Sequence, residues 1–210
     1  MSFLGVTPAP GEVAATSERR WVALGDSFTA GIVDGETTWP MLARERAATI
    51  APTALLNVAA AGATIADIER DQLPLAIGTG PDIVTLICGG NDVIGTVRPR
   101  PERIAADLDR IFGALASSLP RARLLTATYP PIRTGSRWPR TQARIDAGFT
   151  ALNRHIRAAA AAHGFGCVEL AGHPGSADAS NYAADGVHPS AAGHRAAAAV
   201  LGPAIADLAT

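Results

Sequence analysis

Short apolar runs alternate along this chain with longer segments in which apolar residues recur at every third or fourth position. Runs with the length and composition of β-strands occur at residues 21–24, 55–58, 82–88, 124–128 and 167–170. The third run is apolar almost throughout, which is typical of a strand buried on both faces of a parallel sheet. The pattern therefore predicts five strands in a parallel sheet.

The segments between these runs have the spacing of amphipathic helices. One helix is predicted to open at Pro101, and six of its apolar residues share one face: Ile104, Leu108, Ile111, Phe112, Leu115 and Leu119. Other helices are predicted near 39–48, 65–77 and 149–159.

The last helix is predicted to begin after Ser190, because serine is favoured at the N-cap. It runs towards Leu208, with a break expected at Gly202 and Pro203 since proline cannot donate a helical hydrogen bond. Strands that alternate with helices in this way predict a three-layer α/β/α sandwich around a five-stranded parallel sheet.

Length and composition indicate one folded domain. The chain has 210 residues, of which 48% are hydrophobic and 18% charged, so it can build a sizeable core. Residues 1–19 lack the basic start and long apolar stretch of a signal peptide, and we expect them to form a flexible N-terminal extension. Residues 20–210 are then the single domain.

The charge balance and the cysteines limit the possible partners and location. A formal net charge of −1 gives no field that would attract nucleic acid or an anionic membrane. No apolar stretch approaches the ~20 residues needed to span a bilayer. Cys88 and Cys167 fit free thiols in a reducing compartment at least as well as a bridge. We expect a cytoplasmic protein, and its oligomeric state stays open.

Four segments that carry polar residues or glycine follow predicted strands, at 25–31, 57–64, 89–92 and 185–189. In open α/β sheets, ligands bind at the carboxyl ends of the strands, so these segments are expected to converge on one site. Their convergence is a stronger indication of a site than any one segment alone.

Within these segments, Ser27, His188 and Asp185 have the residue types of a nucleophile, its base and the group that orients the base. A serine hydroxyl needs a base to accept its proton, and histidine titrates near neutral pH. Asp185, three residues before His188, suits a hydrogen bond to the imidazole. Taken singly, Ser27 fits a helix cap, His188 a loop histidine and Asp185 a turn residue. Asp26, Asp92 and His194 are interpreted as structural.

Acyl transfer also needs hydrogen-bond donors for the negative charge that develops on the carbonyl oxygen. Gly62 has no side chain to keep its backbone N–H away from a ligand, and Asn91 brings a side-chain amide. The backbone N–H of Ser27, at a helix start, is a third donor. Alternatively, Gly62 is an ordinary turn glycine and Asn91 a turn or cap residue.

Gly25-Asp26-Ser27, Gly62, Gly90-Asn91-Asp92 and Asp185-x-x-His188 resemble, in order and spacing, the four sequence blocks of the SGNH (GDSL-like) hydrolase superfamily. The resemblance covers residue 21 to about 200. It implies a flavodoxin-like fold and a Ser27–His188–Asp185 triad. It also implies an oxyanion hole formed by Ser27, Gly62 and Asn91, and no metal or organic cofactor. Phe28 stands where the motif has leucine, which leaves the serine in place.

The resemblance predicts an esterase that acts through an acyl-enzyme on a small or medium acyl ester. An acyltransferase or thioesterase with the same triad is the alternative. A flavodoxin-like nucleotide-binding module is the rival from another class, but it would need phosphate-binding loops where Ser27 and Asn91 stand. Ile94, Ile132 and Trp138 are the residues expected to form an apolar wall for the substrate.

Overall fold

The computed structural model describes residues 18–32, 35–96, 100–133 and 138–210. Of the predicted N-terminal extension, residues 1–17 lie outside the described residues, and the first strand already begins at Arg19.

Five strands form one sheet, as the apolar runs predicted. They are β1 Arg19–Gly25, β2 Thr53–Asn57, β3 Ile83–Ile87, β4 Arg123–Ala127 and β5 Gly166–Val168. All neighbouring pairs are parallel, in the order β2-β1-β3-β4-β5. This is the flavodoxin-like order. β2 lies on one side of β1 and β3 on the other, so the strand order reverses at this point, and the carboxyl ends of β1 and β3 border the natural ligand crevice.

The central strands β1 and β3 are enclosed, apart from the first two residues of β1. Trp21 pairs in register with Ile83, and the residues of β3 are all buried. The Trp21 Nε1–H donates to Thr85 Oγ1 over 3.0 Å, so its polar atom is satisfied inside the core. Continuous burial on both faces explains why this part of the sheet was easy to predict from apolar runs.

Eight helices occur in the described residues, and most of them cover the two faces of the sheet. They are α1 Ser27–Ala30, α2 Trp39–Ala47, α3 Ile65–Asp67, α4 Leu73–Thr79, α5 Gly90–Ile94, α6 Pro101–Ser118, α7 Pro139–His163 and α8 Ala191–Leu208. A π-helical turn, Ile68–Gln72, joins α3 to α4. α2 packs on α8, whereas α6 packs on α7 and on α3, which gives the two outer layers of the sandwich.

The break predicted in the last helix is wrong. α8 continues through Gly202 and Pro203 to Leu208, after Ser190 caps its start by accepting from Gly193 N–H over 3.1 Å. Pro203 has no backbone N–H, so α8 loses only one helical hydrogen bond there. A Cβ at Gly202 would lie 3.1 Å from Arg46 Cδ of α2, so the missing side chain eases the approach of the two helices. Packing of α8 on α2 outweighs the local cost of the proline.

The fifth strand is shorter than predicted, because the ladder with β4 ends at Val168 and Leu170 leaves the sheet. Both cysteines are free thiols: Cys88 is buried and Cys167 half-buried. Among the described residues, no helix combines the length and apolar character needed to cross a membrane.

Candidate active site

The turn after β1 holds Ser27 at the first position of α1. Asp26 is the N-cap, and its Oδ1 accepts from Phe28 N–H over 3.0 Å. The side-chain amide of Gln72 bonds both the N–H and the carbonyl of Gly25, each at 2.9 Å. The backbone that carries Ser27 is therefore fixed on both sides, and the serine itself is 9% exposed.

Asp185 and His188 form a tight pair on the turn before α8. His188 Nδ1 lies 2.6 Å from Asp185 Oδ2, while Asp185 Oδ1 accepts from the backbone N–H groups of Val187 and His188. Burial raises the pKa of the Asp185 carboxyl, but these hydrogen bonds, first among them that from His188, outweigh it, so the pKa lies below its ordinary value. Asp185 is thus a carboxylate at neutral pH.

The turn that carries this pair is anchored to the segment after β4. Arg133 N–H donates to the Gly186 carbonyl over 2.9 Å, and Ala183 N–H donates to the His188 carbonyl over 2.8 Å. Gly186 has φ +66°, and a Cβ there would collide with the Arg133 carbonyl. Only glycine meets both conditions, so the sequence Asp-Gly sets the position of the histidine.

Asn91 lies in α5, beside the loop that carries Gly62. Its Nδ2 donates to the Ala63 carbonyl over 2.9 Å, and the neighbouring Asp92 accepts from Ile65 N–H over 3.1 Å. Gly62 has φ +79°, a conformation that favours glycine. These contacts hold the second and third segments together at the carboxyl edge of the sheet.

A cavity of about 280 Å³ opens at this edge. Ser27, Asn91 and His188 all line it. Asp185 and Gly62 do not: Asp185 bonds the lining residue His188, and Gly62 precedes Ala63, which accepts from Asn91. Within the described part of the chain, Ser27 Oγ and His188 share the cavity without a hydrogen bond between them. Such bonds are often long in unliganded enzymes and tighten with substrate.

The residues predicted to form an apolar wall separate into two groups. Ile94 and Ile132 line the cavity. Trp138 does not: it stands just before α7 and is 74% exposed. Trp138 immediately precedes Pro139, the first residue of α7. The sequence alone could not show whether a side chain at this position lines the cavity or faces solvent.

Tyr129 is the main cavity residue that sequence reasoning missed. Its hydroxyl donates to Asp26 Oδ2 over 2.6 Å, and its backbone N–H and carbonyl both bond the Asn153 side-chain amide. Burial raises the pKa of Asp26 to about 6, and the negative charge of Asp92 adds a smaller increase. The hydrogen bond from Tyr129 opposes this rise. The signal that could have found Tyr129 is its place at the end of β4, since that edge forms the site.

Most of the remaining cavity lining is apolar or small, and α8 supplies part of it through Gly193, Ala196, Ala197 and Val200. In the parts of the chain that the structure covers, no group of three or more His, Cys, Asp or Glu side chains has an arrangement that could hold a metal ion.

Sheet order, helical layers and a cavity at the carboxyl edge define an α/β fold of the doubly wound type, with its ligand site at that edge. Residues 23–196 match the model of the GDSL-like lipase/acylhydrolase family, and the chain belongs to that family. It is accordingly a carboxylic ester hydrolase.

Solved structures share this fold at low sequence identity. A lipase/acylhydrolase from Enterococcus faecalis is 22% identical, with a TM-score of 0.74 over 90% of this chain and 96% of that chain. A phospholipase A1 from Streptomyces albidoflavus is 21% identical, with a TM-score of 0.69 over 88% and 98%. An acetyl xylan esterase variant from Geobacillus stearothermophilus is 19% identical, with a TM-score of 0.65 over 87% and 92%. No curated protein matched significantly.

Proposed function

We propose that this chain hydrolyses carboxylic esters through an acyl-enzyme formed on Ser27. In the first step, His188 Nε2 takes the proton of Ser27 Oγ as the oxygen attacks the carbonyl carbon. The tetrahedral intermediate then collapses, and the leaving alcohol receives that proton from His188. Water, deprotonated by the same imidazole, attacks the acyl-enzyme, and the carboxylic acid departs as Ser27 regains its proton.

The observation that carries the proposal is the Asp185–His188 hydrogen bond of 2.6 Å beside a cavity that Ser27 also lines. Because Asp185 is ionised and bound at Nδ1, it favours the tautomer with hydrogen on Nδ1 and an unprotonated Nε2. It also stabilises the imidazolium that forms when Ser27 loses its proton.

Three donors support the negative oxygen of the intermediate in this proposal: the N–H of Ser27, the N–H of Gly62 and the side-chain amide of Asn91. An amide nitrogen carries two hydrogens, and in Asn91 one of them donates to the Ala63 carbonyl. This bond orients the second hydrogen before the substrate arrives, so little reorganisation is needed at the moment of reaction.

The cavity supports a small or medium acyl substrate. Its volume of about 280 Å³ lies just below the range of ~300–1,000 Å³ for small-molecule sites. Transfer of the acyl group to another alcohol, or cleavage of a thioester, would use the same residues. The predicted cytoplasmic location stays a prediction.

The test is a panel of p-nitrophenyl esters and thioesters of increasing acyl length, assayed on wild type and on Ser27→Ala. Wild type should hydrolyse at least the short esters, and Ser27→Ala should lose nearly all of that rate. Ser117→Ala, an exposed serine on α6, is the matched control and should behave as wild type. Ester hydrolysis that survives in Ser27→Ala would refute the proposal. Product that forms only with an added acceptor alcohol would favour the acyltransferase.

A further inference from the structure

One side of the active-site cavity is formed by α8. Gly193, Ala196, Ala197 and Val200 line the cavity, and their spacing of three, four and seven positions places them on one face of the helix. At 1.5 Å per residue, the stretch from Gly193 to Val200 spans roughly 10 Å. The face carries no polar side chain and only small or short apolar groups.

The segment after β5 contributes polar residues to the same cavity, and two of them, Tyr182 and Asn181, donate hydrogen bonds within the segment. Tyr182 OH donates to the Ser176 carbonyl over 2.8 Å, and Asn181 Nδ2 donates to the Gly175 carbonyl over 2.8 Å. These bonds close the segment upon itself, beside Leu170, which is 6% exposed. The α8 face itself has no polar side chain and therefore offers a substrate apolar contact rather than hydrogen bonds.

The polar groups that are suited to reaction come from other elements, namely Ser27 at the start of α1, Asn91 in α5 and His188 on the turn before α8. The cavity thus has a reactive polar part and an apolar part on α8. An ester likewise has a polar carbonyl group and an apolar acyl chain. We propose that the α8 face holds the acyl chain of the substrate, and that Ala197 and Val200 set the longest linear chain that the enzyme accepts. This assignment rests on the proposed function of Ser27.

The length of the face gives the expected substrate class. An extended chain of three bonds spans roughly 3.6 Å, so roughly 10 Å accommodates about eight bonds. The substrate class is therefore a linear medium-chain acyl ester of up to about eight carbons. Each methylene that enters the cavity should raise kcat/KM about fourfold, which is the transfer free energy of a buried CH₂ expressed as a rate ratio.

The experiment measures kcat/KM for p-nitrophenyl esters from acetyl to dodecanoyl on wild type, Ala197→Leu and Val200→Ala. In wild type the value should rise with chain length to about octanoyl and then stop rising. Leucine adds three carbons to Ala197, so Ala197→Leu should lower the octanoyl value by roughly 60-fold and the acetyl value much less. Val200→Ala removes two carbons and should move the limit to chains about two carbons longer.

Ala199→Leu is the matched control, because it makes the same change on the same helix at an exposed position outside the cavity lining. It should keep the wild-type profile. If Ala197→Leu does not fold, the shift in Val200→Ala decides the matter. Variants that hydrolyse acetyl esters with the wild-type chain-length profile would overturn the assignment of the acyl chain to α8. An equal loss for acetyl and octanoyl would also overturn it, since the leaving group would then occupy this face. Absence of any Ser27-dependent hydrolysis in wild type would instead refute the proposed function.

Discussion

Two histidine–carboxylate pairs flank the start of α8 and have opposite environments. His188 lies 2.6 Å from Asp185, its side chain is 28% exposed, and it borders the cavity. His194 lies 3.5 Å from Glu36, and its side chain is 1% exposed. Only six positions along the chain separate an imidazole that substrate can reach from one that the core encloses.

The difference lies in what each Nδ1 does. In His188, Nδ1 faces a carboxylate, so Nε2 is available to the cavity. In His194, Nδ1 accepts from Trp39 N–H over 3.2 Å, which assigns the hydrogen to Nε2, near Glu36. Burial lowers the pKa of His194 despite the opposing effect of Glu36, so this imidazole is neutral at pH 7. A neighbouring carboxylate alone does not make a histidine a base; the partner of each nitrogen and access to substrate decide its role.

The largest effect on activity is expected at the exposed pair, His188 and Asp185. His188→Ala should lower kcat by about 10³-fold or more at pH 7, because no other group in the proposal exchanges the proton of Ser27. The measurement is kcat on one activated ester. His163→Ala is the control, since His163 also pairs with a carboxylate, Asp109 at 2.7 Å, but lies outside the cavity lining. If both variants lost the same rate, pairing with a carboxylate rather than position would explain the effect.

Asn91→Ala should come next, with a loss of roughly 10²–10³ in kcat and little change in KM, because the donor acts on the oxyanion rather than on the bound ester. The Ala63 contact is lost as well, so the melting temperature is measured alongside. A change confined to KM would show that Asn91 binds the ground state.

Asp185→Asn should reduce kcat by at least about 10-fold, less than His188→Ala, because Asp185 orients and stabilises the imidazole without taking the proton. The double variant should lose hardly more than His188→Ala alone, since groups that act as a unit are not additive. Kinetics of the two single variants and the double variant form the cycle. If the loss of kcat in the double variant equalled the product of the two single losses, Asp185 would act independently of His188.

The smallest effect on activity is expected at the buried pair, His194 and Glu36. His194→Asn keeps an acceptor for Trp39 N–H and should leave kcat unchanged, while it costs about 1–3 kcal/mol of stability because the contact between the buried imidazole and Glu36 is lost. The folded-state pKa of His194 lies below the ordinary value of 6.5, so the unfolded chain binds the proton first and stability is lost as the pH falls below about 6.5.

Urea unfolding of wild type and His194→Asn at pH 8 and pH 5 measures this contribution. The variant should lose less stability on acidification than wild type. Asp26, whose pKa is raised to about 6, acts in the opposite direction, but it is present in both proteins and cancels in the comparison. An identical pH dependence in both would contradict the neutral, core-bound role of His194.

The sequence predicted the sheet and the segments that carry the candidate site, because both depend on local patterns. Apolar runs indicate buried strands, and polar segments after them indicate the reactive edge. The Asp185–His188 contact was predicted for a related reason, since its partners lie three residues apart. Ser27 and Asn91 were placed at the same edge by the order of the strands.

What the sequence did not predict depends on contacts between distant residues. Tyr129 and Asp26 are 103 positions apart, and no local pattern joins them. The last helix was predicted to break at Gly202 and Pro203, whereas packing on α2 keeps α8 intact, and part of one face lines the cavity. Nothing in the sequence distinguishes Ala196 and Ala197 from the other alanines of this chain, because their place in the cavity depends on the elements that pack opposite α8.

The central claim is that Ser27, beside the exposed pair, carries the acyl group, and covalent labelling tests it most directly. Trypsin cuts after arginine and therefore releases residues 21–44, a peptide in which Ser27 is the only serine. A fluorophosphonate should modify wild type once, and mass spectrometry should place the label on Ser27 of that peptide; Ser27→Ala should not be labelled. A label on another residue, or one that persists unchanged in Ser27→Ala, would contradict the account.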